Sequence, residues 1–242
     1  MSLGCCGALE GKRTLFFHKA DSIEPPTPVG RGIHDSIYVL VRNFAAMSKV
    51  AMNSTYSPTV DEATVATRNW LERAVIGLNL CPFAKGVSVK KLVRYVVSMA
   101  ADTDTLLFEL ERELQYLKEV SPEETDTTLL IHPYVLRCFD DFTDFLDLVD
   151  VTVRMQGLAG TLQVANFHPD YCFSDAEPDD LGNYTNRAPY PTLHLIREES
   201  LDRAVRAFPE AAKIYERNIK TMERIGLAGW QALNVDTVKP GN

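Results

Sequence analysis

Two histidines stand at the ends of apolar, β-rich runs, each followed by proline: His132-Pro133 after TTLLI and His168-Pro169 after LQVANF. A cysteine and an aromatic residue follow each of them, in HPYVLRCF and HPDYCF. Imidazole, carboxylate and thiolate in so short a stretch suit a transition metal. His132, His168, Asp170 and Cys172 are therefore a candidate donor set for zinc or another transition-metal ion, able to activate a water where one coordination position stays open. No CxxC pair and no HExxH helix accompanies them. A histidine before proline at a strand end serves equally to cap backbone groups or line a cleft.

Cys81 offers a second chemistry. It precedes proline in NLCPFAKG, with Lys85 four residues on, and a nearby cation lowers a thiol pKa. With His132 or His168 as base, Cys81 is a candidate nucleophile or peroxide-reacting thiol; a buried cysteine is equally a small apolar core residue. Candidate substrate-binding residues are Asn166, at the end of the LQVANF run, and Asn183, Asn186, Arg187 and Tyr190 in DDLGNYTNRAPYP. Arg187 can grip a carboxylate or phosphate through two parallel hydrogen bonds. The same Asn and Asp residues can instead bond their own backbone and order the loop, with Pro189 and Pro191 stiffening it. His194 shares a strand face with Thr192 and Ile196 and reads as a core histidine.

These residues need elements to position them. A helix is expected from Ser57-Pro58, with Ser as cap and Pro at the first helical position, and Trp70, Leu71, Ala74, Val75 and Leu78 on one face. Strands are expected at 92–98, 127–133, 162–167 and 192–198. Between them fall a helix capped by Asp102 or Asp104, with a stripe of Leu107, Leu110, Leu114 and Leu117, and a second over 140–156 closed by Gly157. A loop of about 25 residues joins the third and fourth strands, a length that marks a lid or binding loop in a compact domain. A short helix at 200–208 and a longer one, opened by Pro209 and closed by Gly226, follow. This order predicts an α/β fold, a helix-covered, mostly parallel or mixed sheet of about four strands, with the loop-reached fourth strand free to run antiparallel. A ferredoxin-like α+β arrangement is the alternative.

The chain has 242 residues, 45% hydrophobic and 24% charged, as befits a soluble globular protein. Residues 1–57 hold six basic and four acidic side chains, lack sustained periodicity and read as a flexible N-terminal extension; residues 58–242 read as a single α/β domain with a net charge of −10. So acidic a body repels phosphate backbones and argues against nucleic acid as partner. Five cysteines, an odd number, fit reduced thiols and a cytoplasmic protein; an organellar address follows if residues 1–57 act as a transit segment. No apolar run reaches the length of a membrane span. Walker, GxGxxG, GxSxG and kinase motifs are absent.

GLNLCPFAKG, LLIHP, QVANFHPDYCF and TNRAPYPTLHLIRE, in that order, resemble the family catalogued as domain of unknown function 1415 over roughly residues 60–225. Position 188 is Ala, where the family pattern has Ser. The resemblance implies no activity. The residues themselves leave two expectations open. One is a hydrolase or transferase on a small polar or anionic substrate, with His132 and His168 beside Cys81. The other is a non-catalytic module that binds a small ligand or a protein partner.

Overall fold

The computed structural model describes residues 57–208 and 210–236. The N-terminal extension expected from sequence lies, except for Ser57, outside the described residues, as does Pro209. Helix α1, Val60–Trp70, is capped by Thr59 instead of Ser57. Thr59 Oγ1 accepts from the Glu62 amide at 3.2 Å while Glu62 Oε2 accepts from the Thr59 amide at 2.8 Å, a reciprocal box that Ser57 is two residues too early to make. The helix then continues as π-helical turns over Leu71–Ile76. Helix α2 is a short piece, Ala84–Val89.

Strand β1, Val93–Val97, leads through α3, Thr103–Glu119, to β2, Thr127–Ile131. Asp102 caps α3 by accepting from the Thr105 amide at 2.7 Å. Helix α4, Phe139–Met155, leads to β3, Leu162–Phe167. It closes as expected at Gly157, whose φ of 66° lets the Leu158 amide reach back to the Val153 carbonyl at 3.0 Å. The connection 168–191 carries 3-10 turns at Leu181–Asn186 and delivers β4, Thr192–Arg197. Helix α5, Glu198–Ala207, a 3-10 turn at Ala211–Lys213 and α6, Ile214–Ala232, complete the described chain. Gly226 does not end α6. With φ 62° and ψ −177° it kinks the helix, which resumes beyond it.

The sheet is mixed, of four strands in the order β1-β2-β4-β3. β1 and β2 are parallel, while β4 inserts antiparallel between β2 and β3. A ferredoxin-like β-α-β-β-α-β order is not what the chain forms. Strand alternation gives the sheet two unlike faces. One presents Leu130, Leu162, Leu193 and Leu195 to the buried stripes of α3 and α4, including Leu106, Leu110, Leu114, Phe142 and Phe145. Each such side chain contributes about 1.5–3 kcal/mol by leaving water. The other face presents Leu129, Ile131 and Phe167 to α1 and α6. Among the described residues no helix is long and apolar enough to cross a membrane.

Gly77 follows the π-helical turns at close quarters, because a Cβ there would lie 2.1 Å from the Arg73 carbonyl oxygen. Gly77→Ala is expected to cost about 1–3 kcal/mol through the backbone shift it forces. Chemical denaturation would measure the loss, and an unchanged midpoint would show that the turn can relax freely.

Candidate functional site

The second sheet face is not covered edge to edge. Between it and the helices lies a cavity of about 640 Å³, in the range of small-molecule sites. Its floor is Val93 of β1, Leu129 of β2, Ile196 of β4 and Phe167 at the end of β3. Trp70, Leu71 and Val75 wall it from α1, the last two lying in the π-helical turns, whose wider backbone displaces their side chains from ordinary α-helical register. Cys81, Phe83 and Val87 close it from the segment around α2, and Leu201, Ala204 and Ile214 from α5 and the start of α6.

Few polar groups enter this surface. Thr127 and His194 lie diagonally across the β2–β4 pair, since Thr127 faces Ile196 and Leu129 faces His194. The Thr127 hydroxyl donates its one hydrogen to the Leu195 carbonyl at 2.6 Å. It is also 2.8 Å from His194 Nε2, so the nitrogen must be the donor in that contact. Burial pushes the His194 pKa down to about 4, and the ring is neutral at pH 7. Asn186 adds an amide 3.2 Å from Thr185 Oγ1, whose one hydrogen goes to the Gly182 carbonyl at 2.8 Å, and Asn218 donates to the Leu80 carbonyl at 2.8 Å. Charge is confined to the mouth, where β1 and β2 begin: Lys90, Glu123 and Arg203 are exposed there, and Arg203 bonds Ser200, which bonds Asp126.

Cys81 lines this cavity. Burial raises its thiol pKa against the opposing pull of the Phe83 and Ala84 amides. A thiol held protonated is a poor nucleophile.

His132 and His168 lie on the other sheet face. Counting along the strands, each follows the residue that points into the second face, Ile131 and Phe167, and so turns toward α4. Phe142 of α4 packs against both imidazoles, with ring centroids 5.6 Å from His132 and 5.3 Å from His168. His132 Nδ1 donates to the Val135 carbonyl at 3.1 Å, and its Nε2 is buried without a hydrogen-bond partner among the described residues. His168 is saturated: Nε2 donates to the Leu136 carbonyl at 3.3 Å and Nδ1 accepts from the Asp170 amide at 3.0 Å. Leu136, at φ 57°, holds a left-handed conformation that is rare for leucine, and His168 helps to pin it. The structure thus brings the two strand-end histidines together but sets Cys81 on the opposite side of the sheet.

The expected metal donors are not gathered. Asp170 is exposed, the Cys172 thiol turns to the Ala176 carbonyl at 3.5 Å, and among the described residues no three His, Cys, Asp or Glu side chains are grouped to hold a metal ion. Of the expected binding residues, Asn186 alone lines the cavity. Asn166 shares the α3/α4 face of the sheet with Leu193, its partner in register. Asn183 is buried within the loop, receiving the Phe173 amide and donating to the Glu177 carbonyl. Arg187 braces the same loop through the Tyr171 and Pro178 carbonyls, its guanidinium 4.1 Å from the Tyr184 ring centroid. Tyr190 is buried against Leu129 and Ile131. His194, which reads from sequence as a core residue, is instead half-buried at the cavity wall. Thr127 and Asn218 carry no sequence signal; only the strand register and the return of α6 place them there.

What the fold and cavity define is an α/β protein with an open mixed sheet, one face sealed by two helices and the other roofed over a hollow. A family model described as "Protein of unknown function (DUF1415)" matches residues 62–232, and the chain belongs to that family. No curated protein and no solved structure matches it.

Burial holds His132, His168 and His194 each at a pKa of about 4, below the ordinary 6.5. Folded-state values below the unfolded ones contribute no penalty above about pH 6.5 and destabilise progressively as pH falls toward 4, because the unfolded chain then binds more protons. Stability should fall from pH 6.5 to 5 by up to about 1.4 kcal/mol per pH unit for each histidine. Urea titrations at several pH values would measure it, and a flat profile over that range would contradict neutral burial.

Proposed function

We propose that this protein binds a small, predominantly apolar molecule in the cavity between the sheet and helices α1, α2, α5 and α6, as a ligand-binding module without covalent chemistry. The observation that carries this reading is the cavity itself: about 640 Å³, walled mainly by aliphatic and aromatic side chains, with a few fixed polar groups inside and charges only at its mouth. The sequence pointed to a small polar or anionic ligand gripped by Arg187. That guanidinium is committed to loop carbonyls, and the apolar walls favour a different molecule. Cys81 and His194 share the cavity, but a thiol pKa raised by burial and an imidazole pKa of about 4 both oppose a thiolate–imidazolium pair, which weighs toward binding over catalysis.

The reading is tested with N-phenyl-1-naphthylamine, a neutral apolar fluorophore. Saturable binding with one probe per chain is expected, accompanied by a blue-shifted emission. Ala204→Trp, which places an indole in the cavity, should weaken it by roughly tenfold or more while leaving the thermal midpoint within a few degrees. Absence of saturable binding, or binding indifferent to a correctly folded Ala204→Trp, would remove the cavity from consideration.

A further inference from the structure

The polar interior of the cavity is asymmetric in a way that bears on what it accepts. The Thr127 hydroxyl has one hydrogen, given to the Leu195 carbonyl at 2.6 Å, so the contact with His194 Nε2 at 2.8 Å fixes the imidazole as the Nε2–H tautomer. Nδ1 then carries a lone pair. It makes no hydrogen bond among the described residues, is not among their sealed unpartnered atoms, and belongs to a ring that lines the cavity. Phe167, with its ring centroid 6.1 Å from the imidazole, and Ile196 and Leu129 make the surroundings apolar, and desolvation holds the ring neutral at pH 7. The wall therefore offers a hydrogen-bond acceptor in an apolar surface. A carboxylate presents only lone pairs to it; an ether or ketone does the same.

Resting on the ligand-binding reading above, we infer that the cavity selects neutral apolar molecules that carry a hydroxyl group, aliphatic or alicyclic alcohols, whose O–H donates to Nδ1 of His194. Thr127 is the positioning residue: its hydroxyl, with its hydrogen given to the Leu195 carbonyl, holds the tautomer. The apolar remainder of the alcohol lies against Phe167, Leu71 and Val75.

The test displaces N-phenyl-1-naphthylamine with two isomers of one formula, 1-octanol and heptyl methyl ether. They match in size and in accepting capacity and differ in the one donor. The wild type should bind the alcohol roughly three- to tenfold more tightly, the advantage of a single satisfied hydrogen bond. His194→Leu should bring the ratio to about one, and His194→Asn, whose Oδ1 occupies the position of Nδ1, should restore a preference. Thr127→Val serves if the leucine variant does not fold: releasing the tautomer should reduce the ratio without adding bulk. Equal affinities of the two isomers in the wild type would overturn the inference while leaving the apolar cavity in place, as would a preference that survives His194→Leu. Displacement by neither isomer would also overturn it. Failure of the fluorophore itself to bind would instead overturn the ligand-binding reading on which it rests.

Discussion

The indole of Trp70 is where the separate parts of this molecule are held to one another. It lies at the end of α1, 2% exposed, edge-on to Phe167 with ring centroids 4.9 Å apart, and its N–H donates to the Arg187 carbonyl at 2.8 Å. One side chain thus joins the first helix, the end of β3 and the long connection that leads into β4. An aromatic side chain of this size supplies both the apolar area and the directed bond. Without the bond the Arg187 carbonyl would be left with water or nothing, and α1 would keep, besides its apolar contacts, the Arg68 guanidinium 5.1 Å from the Tyr95 ring centroid of β1 to set its height above the sheet. That height is what leaves a hollow beneath α1.

The two sheet faces show how the same residue type takes opposite roles. His132 and His168 face α4, where neutral imidazoles spend their hydrogens on the Val135 and Leu136 carbonyls and hold the turn that follows β2. His194 faces the cavity, where its hydrogen goes to a hydroxyl already committed elsewhere and its lone pair has no partner among the described residues. In each case the tautomer follows from which neighbour can accept a proton, and the tautomer decides what remains for a ligand.

Much of this was legible in the sequence and some of it was not, for reasons that are local and physical. Helices α3 and α4 were clear because each repeats leucine or phenylalanine at helical spacing against polar residues, and strands β2, β3 and β4 because short β-branched and leucine runs end at proline or turn residues. The first cap falls at Thr59 and not at Ser57 because, although both fit cap chemistry, only the return bond from Glu62 chooses between them. Gly226 reads from sequence as a stop, yet a glycine with positive φ permits a kink as readily as an end. The insertion of β4 between β2 and β3 leaves no trace in periodicity. The sequence shows the two histidines at strand ends, but which face of the sheet they take follows from parity. Leu130 and His132 share a face, as do Asn166 and His168, and that face is the one sealed by α3 and α4. Parity also puts His194 opposite Leu193 and Leu195, on the hollow side. What no parity count reveals is that this side is hollow, since its walls come from α1, α2, α5 and α6, segments that meet only in the folded chain.

A hollow lined by apolar side chains is a cost to the fold, because packed interiors gain dispersion energy that empty space forgoes. Several features resist its collapse. The π-helical turns at Leu71–Ile76 widen the helix where it borders the cavity, Gly77 lets the chain turn away where a Cβ would press on the Arg73 carbonyl, and Asn218 of α6 holds the Leu80 carbonyl and with it the segment bearing Cys81. The Asp126–Ser200–Arg203 bonds brace the mouth at the opposite end. Each of these secures backbone around the hollow instead of filling it. A molecule that supplies the missing contacts would recover the dispersion energy the fold gives up, which is why the same features that look like weak packing are the physical argument for a ligand.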